Sequence, residues 1–341
     1  MKRIIAQNNF FHLTQFDLNQ TEVLFAPKYN SIHQKDFFVR RFNALSKIAP
    51  HLKWVESIDE NDFDIALAWD AIDEKKTLGK KLNPIQNRLF SSLPFKLPES
   101  FTPFRQLAET QLPSLFHPAT PPWDEEIKKE LHYYFVEKKL PLTYLETRNE
   151  MLGRDGSTKF SSFLSTGFLD VRYLYNEVRQ FESIHGTTKS SGWIIFELLW
   201  REFFYWHYQE NSRSYFSRFG LKSLDFSQVT QYSLSELNKM KADPFFHAGL
   251  NELIATGYLS NRARQIFASI WINDLELDWR SGAKLFEEHL IDYDVYSNYG
   301  NWMYLAGVGV DPRGKRYFNV KKQLELYDPK GEYLKTWGIL S

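Results

Sequence analysis

Apolar residues recur every three to four positions through most of the chain beyond Trp123. Residues with this spacing share one face of an α-helix, and that face is normally buried against neighbouring elements. The segments that show it are DEEIKKELHYYFVEKK, DVRYLYNEVRQFES, WIIFELLWREFFYWHY, AGLNELIATGYL and NRARQIFASIWINDLELDW. The larger, C-terminal part of the chain is therefore predicted to be an all-α assembly.

The first 70 residues have a different pattern, with four short β-like runs and one helical stretch. The runs are RIIAQ, EVLFAP, LKWVES and FDIALAW, and the helical stretch lies at about residues 36–48. Such a pattern predicts a small α/β layer, too short for a full doubly wound domain. Residues 71–125 contain eight prolines and are predicted to be loop-rich.

These patterns divide the chain into three parts. We predict a reduced α/β domain over residues 1–95, a linker over 96–125 and an all-α domain over 126–341. The predicted fold class is α+β, with a small α/β layer followed by a large helical domain.

Composition excludes some chemistry and leaves other uses open. The chain has no Cys, which excludes disulfides, thiolate metal sites, iron–sulfur clusters and cysteine nucleophiles. Aromatic residues reach 17%, more than an ordinary core needs, although an aromatic-rich helical core would also account for them. The formal net charge is zero, so nothing global favours nucleic acid, but a local basic groove is compatible with it.

The chain shows no signal for export or membrane insertion. The start, MKRIIAQNNFF, lacks a long apolar core with a small-residue cleavage site, and no run of about 18 apolar residues occurs. We expect a cytoplasmic protein without a membrane partner.

Two glycines precede Ser157 and Thr158 in TRNEMLGRDGSTKFSSFLSTG, residues 147–167. The apolar helical pattern starts at this point, so hydroxyls and free backbone N–H groups would converge at a helix start. This arrangement suits a phosphate, but a simple N-cap gives the same pattern.

A carboxylate lies among aromatic residues in WIIFELLWREFFYWHY, residues 193–208. Trp193, Glu197 and Trp200 follow at helical spacing and share a face. A carboxylate in such surroundings must be paired or must hydrogen-bond a ligand. An ion pair between Glu197 and Arg201, one turn on, is the structural alternative.

Polar and charged residues crowd the C-terminal segments SNRARQ, LDWRSG and IDYDVYSNYGNWMYLAG. Asp292 and Asp294 resemble a metal pair, but their sequence neighbours are not ligands, so no metal is predicted. Pairing of Asp292 with Arg264 or Arg262 is the better interpretation. Asn298 offers a neutral amide that can donate or accept at the edge of a cofactor ring.

Trp279 and Trp302 lie in the same segments. Tryptophan is the residue type expected of a stepping-stone for electrons, although most tryptophans are only core.

Read together, these segments resemble the FAD domain of DASH cryptochromes and their photolyase relatives. The matching words are TRN-x-x-x-G-x-D-x-STKFS-x-x-L-x-x-G, FELLWREFF, ATGYLSNRARQ, ASIWINDLELDWR, LIDYDVYSNYGNW and AGVGVDPRGKRYFNVKKQ. They fall in the family's order and spacing over about residues 141–337, and LPESFTPFR, residues 97–105, is similar to the segment that joins the family's two domains.

The resemblance implies an all-α domain that holds a U-shaped FAD in a central cavity open to a flipped pyrimidine dimer. The residues matched to the diphosphate and ribityl region are Tyr144, Ser157, Thr158, Lys159, Phe160 and Ser161. Those matched to the adenine-to-isoalloxazine side are Arg264, Asp292 and Asp294, with Asn298 facing flavin N5. Trp302 and Trp279 match the inner two members of a tryptophan chain that reduces resting flavin.

The resemblance also implies a DNA-binding face. The matching residues are Glu197, Trp200, Asn261, Gln265 and Tyr304, with Glu197 also predicted at the cofactor and in catalysis. An aromatic face would stack on the pyrimidines while the carboxylate and amide hydrogen-bond their edges.

The implied activity is light-driven repair of cyclobutane pyrimidine dimers by a carbon–carbon lyase, with single-stranded or locally unpaired DNA as the expected substrate form. Reduced FAD donates an electron to the dimer, the ring splits and the electron returns. A blue-light photoreceptor of cryptochrome type, with little or no repair, is the alternative; a flavin-bearing nucleic-acid binding protein without photochemistry is the third.

Three segments depart from the family pattern. Residues 1–95 are short and unlike the antenna domain, so no antenna chromophore is expected. In ELNKMKADPFFHAG, residues 236–249, Glu236 replaces an expected Trp and His247 an expected Asp, which makes His247 either a proton donor near the flavin or a structural residue. The outermost Trp of the electron chain has no counterpart at 226–232, where Tyr232 or a surface aromatic such as Trp271 is the predicted substitute.

Overall fold

The computed structural model describes residues 2–6, 16–27, 29–55, 65–68, 82–84, 87–222, 232–311 and 313–338. Its strands and first helices, in chain order, are β1 (Lys2–Ala6), β2 (Thr21–Phe25), α1 (Ile32–Leu45), β3 (Leu52–Trp54), β4 (Ile65–Ala68), β5 (Leu82–Pro84), α2 (Phe101–Gln111), α3 (Glu125–His132), α4 (Tyr144–Thr147), α5 (Ser161–Thr166) and α6 (Val171–His185).

The remaining helices are α7 (Lys189–Asn211), α8 (Leu234–Lys239), α9 (Pro244–Thr256), α10 (Asn261–Ser269), α11 (Trp279–His289), α12 (Val295–Ala306), α13 (Val320–Tyr327) and α14 (Glu332–Trp337). Short π-helical turns continue α3 at Tyr133–Glu137 and α10 at Ile270–Asp274. A parallel sheet and many helices together confirm the predicted α+β fold class.

The five strands form one parallel sheet in the order β3-β2-β1-β4-β5. The chain moves outward from β1 through β2 to β3 and then returns to add β4 and β5 on the other side of β1. This is the order of the first five strands of a doubly wound sheet, which the sequence analysis did not predict. The missing signal was β5, because it is only three residues long and lies in the stretch that was assigned to loops.

Two compact units divide the chain, and each draws on separate stretches of sequence. The first comprises residues 1–92, 113–141 and 159–187, and the second comprises 93–112, 142–158 and 188–341. The domain boundaries given from sequence stay a prediction.

A buried cation holds α1 in the first unit. Arg41 is only 1% exposed, and its guanidinium donates to Asp124 Oδ2 at 2.6 Å and to the carboxylate of Glu126. Asp124 also caps α3 by accepting from the N–H of Glu126. A buried charge needs such partners, because an unpaired one would cost several kcal/mol.

The first unit also uses a buried amide. Asn87 Nδ2 donates to the carbonyls of Leu164 at 3.0 Å and Leu169 at 2.8 Å, and its Oδ1 accepts from the N–H of Val171 at 2.8 Å. These three bonds hold the turn between α5 and α6 closed.

In the second unit, α7 is the longest helix, and both α2 and α12 pack against it. Its start is fixed by a capping box between Thr188 and Ser191. Gly300 lets α12 approach closely, because a Cβ at this position would overlap the ring of Phe204. Helix α2 lies in the predicted linker and contributes Phe101 and Phe104 to this core, so the linker is not all loop.

The C-terminal helix α14 docks on α9 through a buried polar contact. Tyr333 stacks on Phe245 with ring centroids 5.1 Å apart, and its hydroxyl donates to Glu252 Oε2 at 2.5 Å.

Among the residues that the structure describes, none of the helices combines the length and apolar character needed to cross a bilayer.

We predict that Asn87→Ala lowers the free energy of unfolding by about 3 kcal/mol, because three buried backbone groups lose their partner. Urea denaturation would measure it. The matched control is Asn43→Ala, at an exposed position of α1, which should change stability by less than about 0.5 kcal/mol. Equal effects of the two substitutions would contradict the role of Asn87.

Candidate functional site

A partly open cavity lies among α10, α11 and α12 of the second unit. Seven of the residues predicted from sequence line it, namely Asn261, Arg264, Gln265, Asp292, Asp294, Asn298 and Trp302. Residues separated by up to 41 positions along the chain are thus brought together at one place.

Asn298 and Trp302 lie one turn apart on α12 and share the face that lines the cavity. Both are at least nine-tenths buried. Asn298 Nδ2 donates to the carbonyl of Ala283 at 2.9 Å, which leaves Oδ1 as the amide atom able to accept from a bound ring. Asn298 therefore points into protein and cavity rather than into solvent.

Gly282 sets the position of the Trp302 indole. A Cβ added at Gly282 would lie 2.6 Å from Cζ3 of Trp302 and closer still to Cη2. The indole therefore occupies the space that any larger residue at position 282 would fill, and α11 and α12 approach each other across this contact.

The two aspartates of the cavity are both engaged by arginines. Arg264 Nη2 donates to Oδ1 and Oδ2 of Asp292 at 2.9 and 2.7 Å. Asp294 caps α12 and lies 3.6 Å from Nε of Arg201. Arg264 is thus the partner of Asp292, whereas Arg262 donates to Asn149 and Gln323.

Within the described ranges, no group of three or more His, Asp or Glu residues is placed to hold a metal ion. The carboxylates of the cavity serve as partners of cations and as a helix cap.

Gln265 brings an unmatched acceptor to the cavity wall. Its Oε1 is buried and has no hydrogen-bond partner within the described protein. A buried carbonyl without a partner costs about 1–3 kcal/mol. A ligand with an N–H donor would satisfy it. Together with Oδ1 of Asn298 it gives the cavity wall two acceptors for ring N–H groups, which a flavin or a nucleobase can supply.

The carboxylate of Glu197, on α7, does not form the ion pair with Arg201 that was the structural alternative from sequence. It accepts from Arg148 and from Trp193 Nε1, the latter at 3.1 Å, rather than pairing with Arg201. Both bonds end on Oε1. Burial raises the pKa of the Glu197 carboxyl, while the charge of Arg148 opposes that shift.

Trp200 stands one turn further along α7 and is half-buried. Phe101 stacks on it, with centroids 3.7 Å apart and planes 10° from parallel, and Tyr304 meets it edge-on at 5.7 Å. The hydroxyl of Tyr304 accepts from Arg316 at 2.7 Å and from Arg313 at 3.2 Å. Sequence reasoning missed Phe101, although it lies in the LPESFTPFR word that carried part of the resemblance.

His207 holds the segment that precedes α2. A carbonyl can only accept, so Nε2–H of His207 donates to the carbonyl of Pro98 at 2.9 Å, and Nδ1 is left buried without a partner. This bond lies three residues before Phe101 and so helps to position the ring that stacks on Trp200. Burial lowers the pKa of His207.

The residues predicted for the diphosphate and ribityl region do not line this cavity. Tyr144 is buried at the start of α4, and burial together with the nearby Glu197 raises its pKa. The Ser157 hydroxyl lies 3.4 Å from that of Tyr258. Ser157 and Thr158 belong to the second unit, and each precedes the start of α5 by at least three residues.

The rest of this run belongs to the first unit. Lys159 adopts a left-handed backbone with φ of 57°, and α5 begins only at Ser161. The helix start expected at Ser157 is therefore shifted. The side chain of Phe160 packs on Tyr134 and Phe135, so only its backbone can meet a ligand.

The two predicted relay tryptophans have different neighbours. Trp279 is fully buried, contacts the ring of Tyr299 at 6.3 Å and has no hydrogen-bond partner for Nε1 within the described residues. Trp302 instead contacts Trp271 at 6.2 Å and Phe286 at 5.1 Å.

Segment 236–249, which departs from the family pattern, contributes to helices α8 and α9. Glu236 completes a capping box with Ser233 at the start of α8. His247 lies on α9, contacts the ring of Phe246 and is not part of the cavity wall. Trp271 is 1% exposed, so the prediction of a surface aromatic there was wrong. Residues 226–231 lie outside the described residues.

Comparisons with known proteins agree on one family. Residues 193–338 match the model of the FAD binding domain of DNA photolyase. A Cryptochrome DASH from Idiomarina loihiensis is 46% identical over 200 residues, which cover 58% of this chain and 44% of that protein. A chloroplastic/mitochondrial Cryptochrome DASH from Solanum lycopersicum is 37% identical over 285 residues, which cover 72% and 49%.

The chain spans about half the length of the curated relatives that it matches. Among solved structures, a cryptochrome from Synechocystis sp. superposes with a TM-score of 0.83 at 27% identity, covering 99% of this chain and 88% of that one. A class III photolyase from Agrobacterium tumefaciens, at 19% identity and a TM-score of 0.75, shows the same fold.

The fold and the matched domain are those of the photolyase type. The chain belongs to the photolyase and cryptochrome superfamily, and it resembles the DASH branch.

We predict that Gly282→Ala displaces the Trp302 indole and lowers the free energy of unfolding by about 1–3 kcal/mol, the usual range for an overpacked core. Near-ultraviolet circular dichroism of the flavin-free protein would report the indole, and urea denaturation would report stability.

Gly192→Ala is the matched control for this substitution. It also lies inside a helix, but a Cβ there meets nothing within 4 Å, so it should stabilise the protein by about 0.5–1 kcal/mol. Stabilisation by both substitutions would show that the contact between Gly282 and Trp302 is looser than described.

We predict that His207 makes stability fall as the pH drops below about 6.5, its usual pKa. Its pKa is lower in the folded than in the unfolded chain, so the unfolded chain binds the proton first and gains from acid. The unfolding free energy of the His207→Gln variant should decline less between neutral and mildly acidic pH. Parallel pH profiles for the two proteins would refute this.

Proposed function

We propose that this protein binds FAD non-covalently in the cavity of the second unit and uses light to split cyclobutane pyrimidine dimers in DNA, as a deoxyribodipyrimidine photo-lyase. The observation that carries the proposal is the joint placement of the neutral amide of Asn298 and the indole of Trp302 on one cavity wall. Helix α12 therefore carries both the amide that would meet the reactive edge of the ring and the indole that would donate an electron.

The cavity residues are suited to hold the cofactor. Arg264, held by Asp292, and Asp294 would lie along the adenine-to-isoalloxazine side, and Asn298 would meet the reactive edge of the ring. Because the amide of Asn298 is neutral and its Nδ2 already donates to Ala283, its Oδ1 would accept from a ring N–H without opposing a change in ring charge. When bound and reduced, FAD supplies the light-excited electron donor.

Contacts with the diphosphate by Tyr144 and by the run Ser157, Thr158, Lys159, Phe160 and Ser161 are part of the same proposal. The left-handed turn at Lys159 supports it, since such a backbone turns successive N–H groups toward one side, as anion-binding loops do. An absent antenna chromophore and a cytoplasmic location stay predictions.

The DNA contacts proposed use both neutral and charged groups. Asn261 is exposed at the rim of the cavity, and Gln265 presents its unmatched carbonyl in the wall. Trp200 and Tyr304 offer an aromatic face for stacking. The hydrogen bonds that Glu197 accepts from Arg148 and Trp193 both end on Oε1, so Oε2 is the oxygen that would accept from a pyrimidine N–H.

Single-stranded or locally unpaired DNA is the proposed substrate form. Drawing a base out of a duplex costs a few kcal/mol, and an unpaired lesion avoids most of that cost. The zero net charge is consistent with modest affinity for duplex DNA, because neutralised phosphates supply most non-specific affinity.

One observation favours the second candidate, a blue-light photoreceptor with little or no repair. Glu197, Trp200 and Tyr304 are not among the residues that line the cavity, and Glu197 is already bonded to Arg148 and Trp193. A flavin protein whose dimer-binding groups are occupied would absorb light without acting on DNA.

Repair is tested by illuminating the reduced, FAD-loaded protein with an oligonucleotide that contains one thymine dimer. Recovery of the ultraviolet absorbance of intact thymines is the expected result, in single-stranded DNA at least. A protein that takes up FAD but restores no thymine in single-stranded or duplex DNA would contradict the repair proposal, and the photoreceptor would remain as the candidate function.

We predict that Glu197→Gln lowers the repair rate by about tenfold or more, because one charge-assisted hydrogen bond to the dimer is weakened. FAD content, measured from the flavin absorption of the purified protein, should not change. Glu210→Gln, at a position near the exposed end of α7, is the control. If flavin is lost in parallel with repair, Glu197 holds the cofactor or the fold instead.

A further inference from the structure

We infer that Phe101 determines which DNA strands Trp200 can bind, because it occupies the place beside the indole that a second stacked base would take. A strand with a pyrimidine dimer needs only one stacking surface of Trp200, whereas an intact strand gains from two. The inference rests on the proposed function, since it concerns how the dimer to be repaired is told apart from undamaged DNA.

Phe101 lies against Trp200 as a stacked base would. The two ring centroids are 3.7 Å apart and the planes are 10° from parallel. Successive bases of a strand are about 3.4 Å apart, so a base inserted between the two rings would need about twice the observed separation. No base can therefore reach this face of the indole while Phe101 stays in place.

Three other rings contact the Trp200 indole without stacking on it. Phe203, Phe204 and Tyr304 lie 5.8, 5.4 and 5.7 Å from it, with planes 80°, 32° and 82° from its own. None of them is parallel to the indole at stacking distance, and Trp200 is half-buried. A base can thus contact Trp200 only on the surface that Phe101 leaves open.

This one-sided surface distinguishes damaged from intact strands. An aromatic ring can be inserted between two successive bases of an intact strand, where it stacks on both of them. The two pyrimidines of a cyclobutane dimer are joined by two carbon–carbon bonds, so no ring fits between them and the dimer offers only its outer surfaces. Covering one face of Trp200 therefore removes a stacking contact from an intact strand and none from a dimer.

The packing of Phe101 fixes its ring relative to Trp200. Phe101 is 8% exposed and meets the rings of Phe196 and Phe203 at 5.1 and 5.7 Å, with planes 81° and 71° apart. Both of these residues belong to α7, the helix that carries Trp200. The ring is thus held on three sides, so it stays on the indole when a strand binds.

A hydrogen bond holds the backbone that leads to Phe101. Nε2–H of His207, also on α7, donates to the carbonyl of Pro98 at 2.9 Å. The side chain of Ser100, the residue before α2, makes no hydrogen bond that caps the helix. The bond from His207 therefore helps to fix this end of α2, and His207 is a positioning residue that acts through Phe101.

The test compares two single-stranded oligonucleotides that differ only in one thymine dimer. Fluorescence anisotropy of the full, FAD-loaded chain gives both dissociation constants under red light, which flavin does not absorb. In Phe101→Ala the intact strand gains a second stacking surface. The preference for the damaged strand is therefore expected to fall about fivefold or more, the equivalent of one base stacked on an aromatic ring.

Two variants serve as controls. Phe101→Leu loses the ring but still covers the indole with a branched side chain, so it should restore most of the preference. Leu107→Ala, at a position of α2 that is 42% exposed, should leave the preference unchanged. Loss of core packing alone would weaken the binding of both strands together, so the ratio of the two dissociation constants separates selection from stability.

Substitutions at His207 test the same role if Phe101→Ala does not fold. His207→Gln keeps an N–H that can donate to Pro98 and should keep the ratio of the parent protein. His207→Phe keeps a ring but has no donor, so the segment before α2 is released and the two dissociation constants should move closer together.

The outcomes separate this role from the proposed function. A parent protein that binds damaged and intact strands equally would contradict recognition of the dimer, and with it the role of Phe101. A parent that prefers the dimer, with the same ratio in Phe101→Ala, or in His207→Phe where the first variant does not fold, would overturn the role of Phe101 alone.

Discussion

Close contact between Gly282 and the indole of Trp302 is the constraint on which the cavity depends. A hydrogen at position 282 allows α11 and α12 to approach until the indole lies against the backbone of α11. The next residue along α11, Ala283, then accepts the amide of Asn298. Because Asn298 and Trp302 are one turn apart, a single helix–helix contact orients both the amide and the indole, and the cavity lies on the side that they leave open.

The charged groups around this cavity are satisfied by the protein itself. Arg264 neutralises Asp292, and Asp294 serves as the cap of α12 beside Arg201. These pairings offset part of the cost of taking the charges out of water. The unmatched carbonyl of Gln265 is different, because it is a neutral group held in the wall without a partner in the described protein. The carbonyl of Gln265 is therefore a place in the cavity wall where a ligand can add a hydrogen bond.

Aromatic residues, which the composition left unexplained, have two distinct uses in the second unit. Phe101 and Tyr304 surround Trp200 on α7, and together they form a face of rings near the surface. Trp271 joins Trp302 to a half-buried tyrosine through the core. The first set suits stacking with a planar partner, whereas the second, in which Trp271 and Trp302 are buried, packs the core beside the cavity.

The sequence by itself determined the helical fold, the family and the identity of half of the residues that line the cavity, because helical period and long matched words are local properties of the chain. Tertiary structure decided which partners those residues take. Glu197 and Arg201 have the spacing of a helical pair, but Glu197 binds Arg148 and Arg201 binds Asp294, since contacts between helices provide nearer partners. The order of the parallel strands was likewise beyond the sequence, because their pairing joins segments far apart in the chain and a three-residue strand has no readable period.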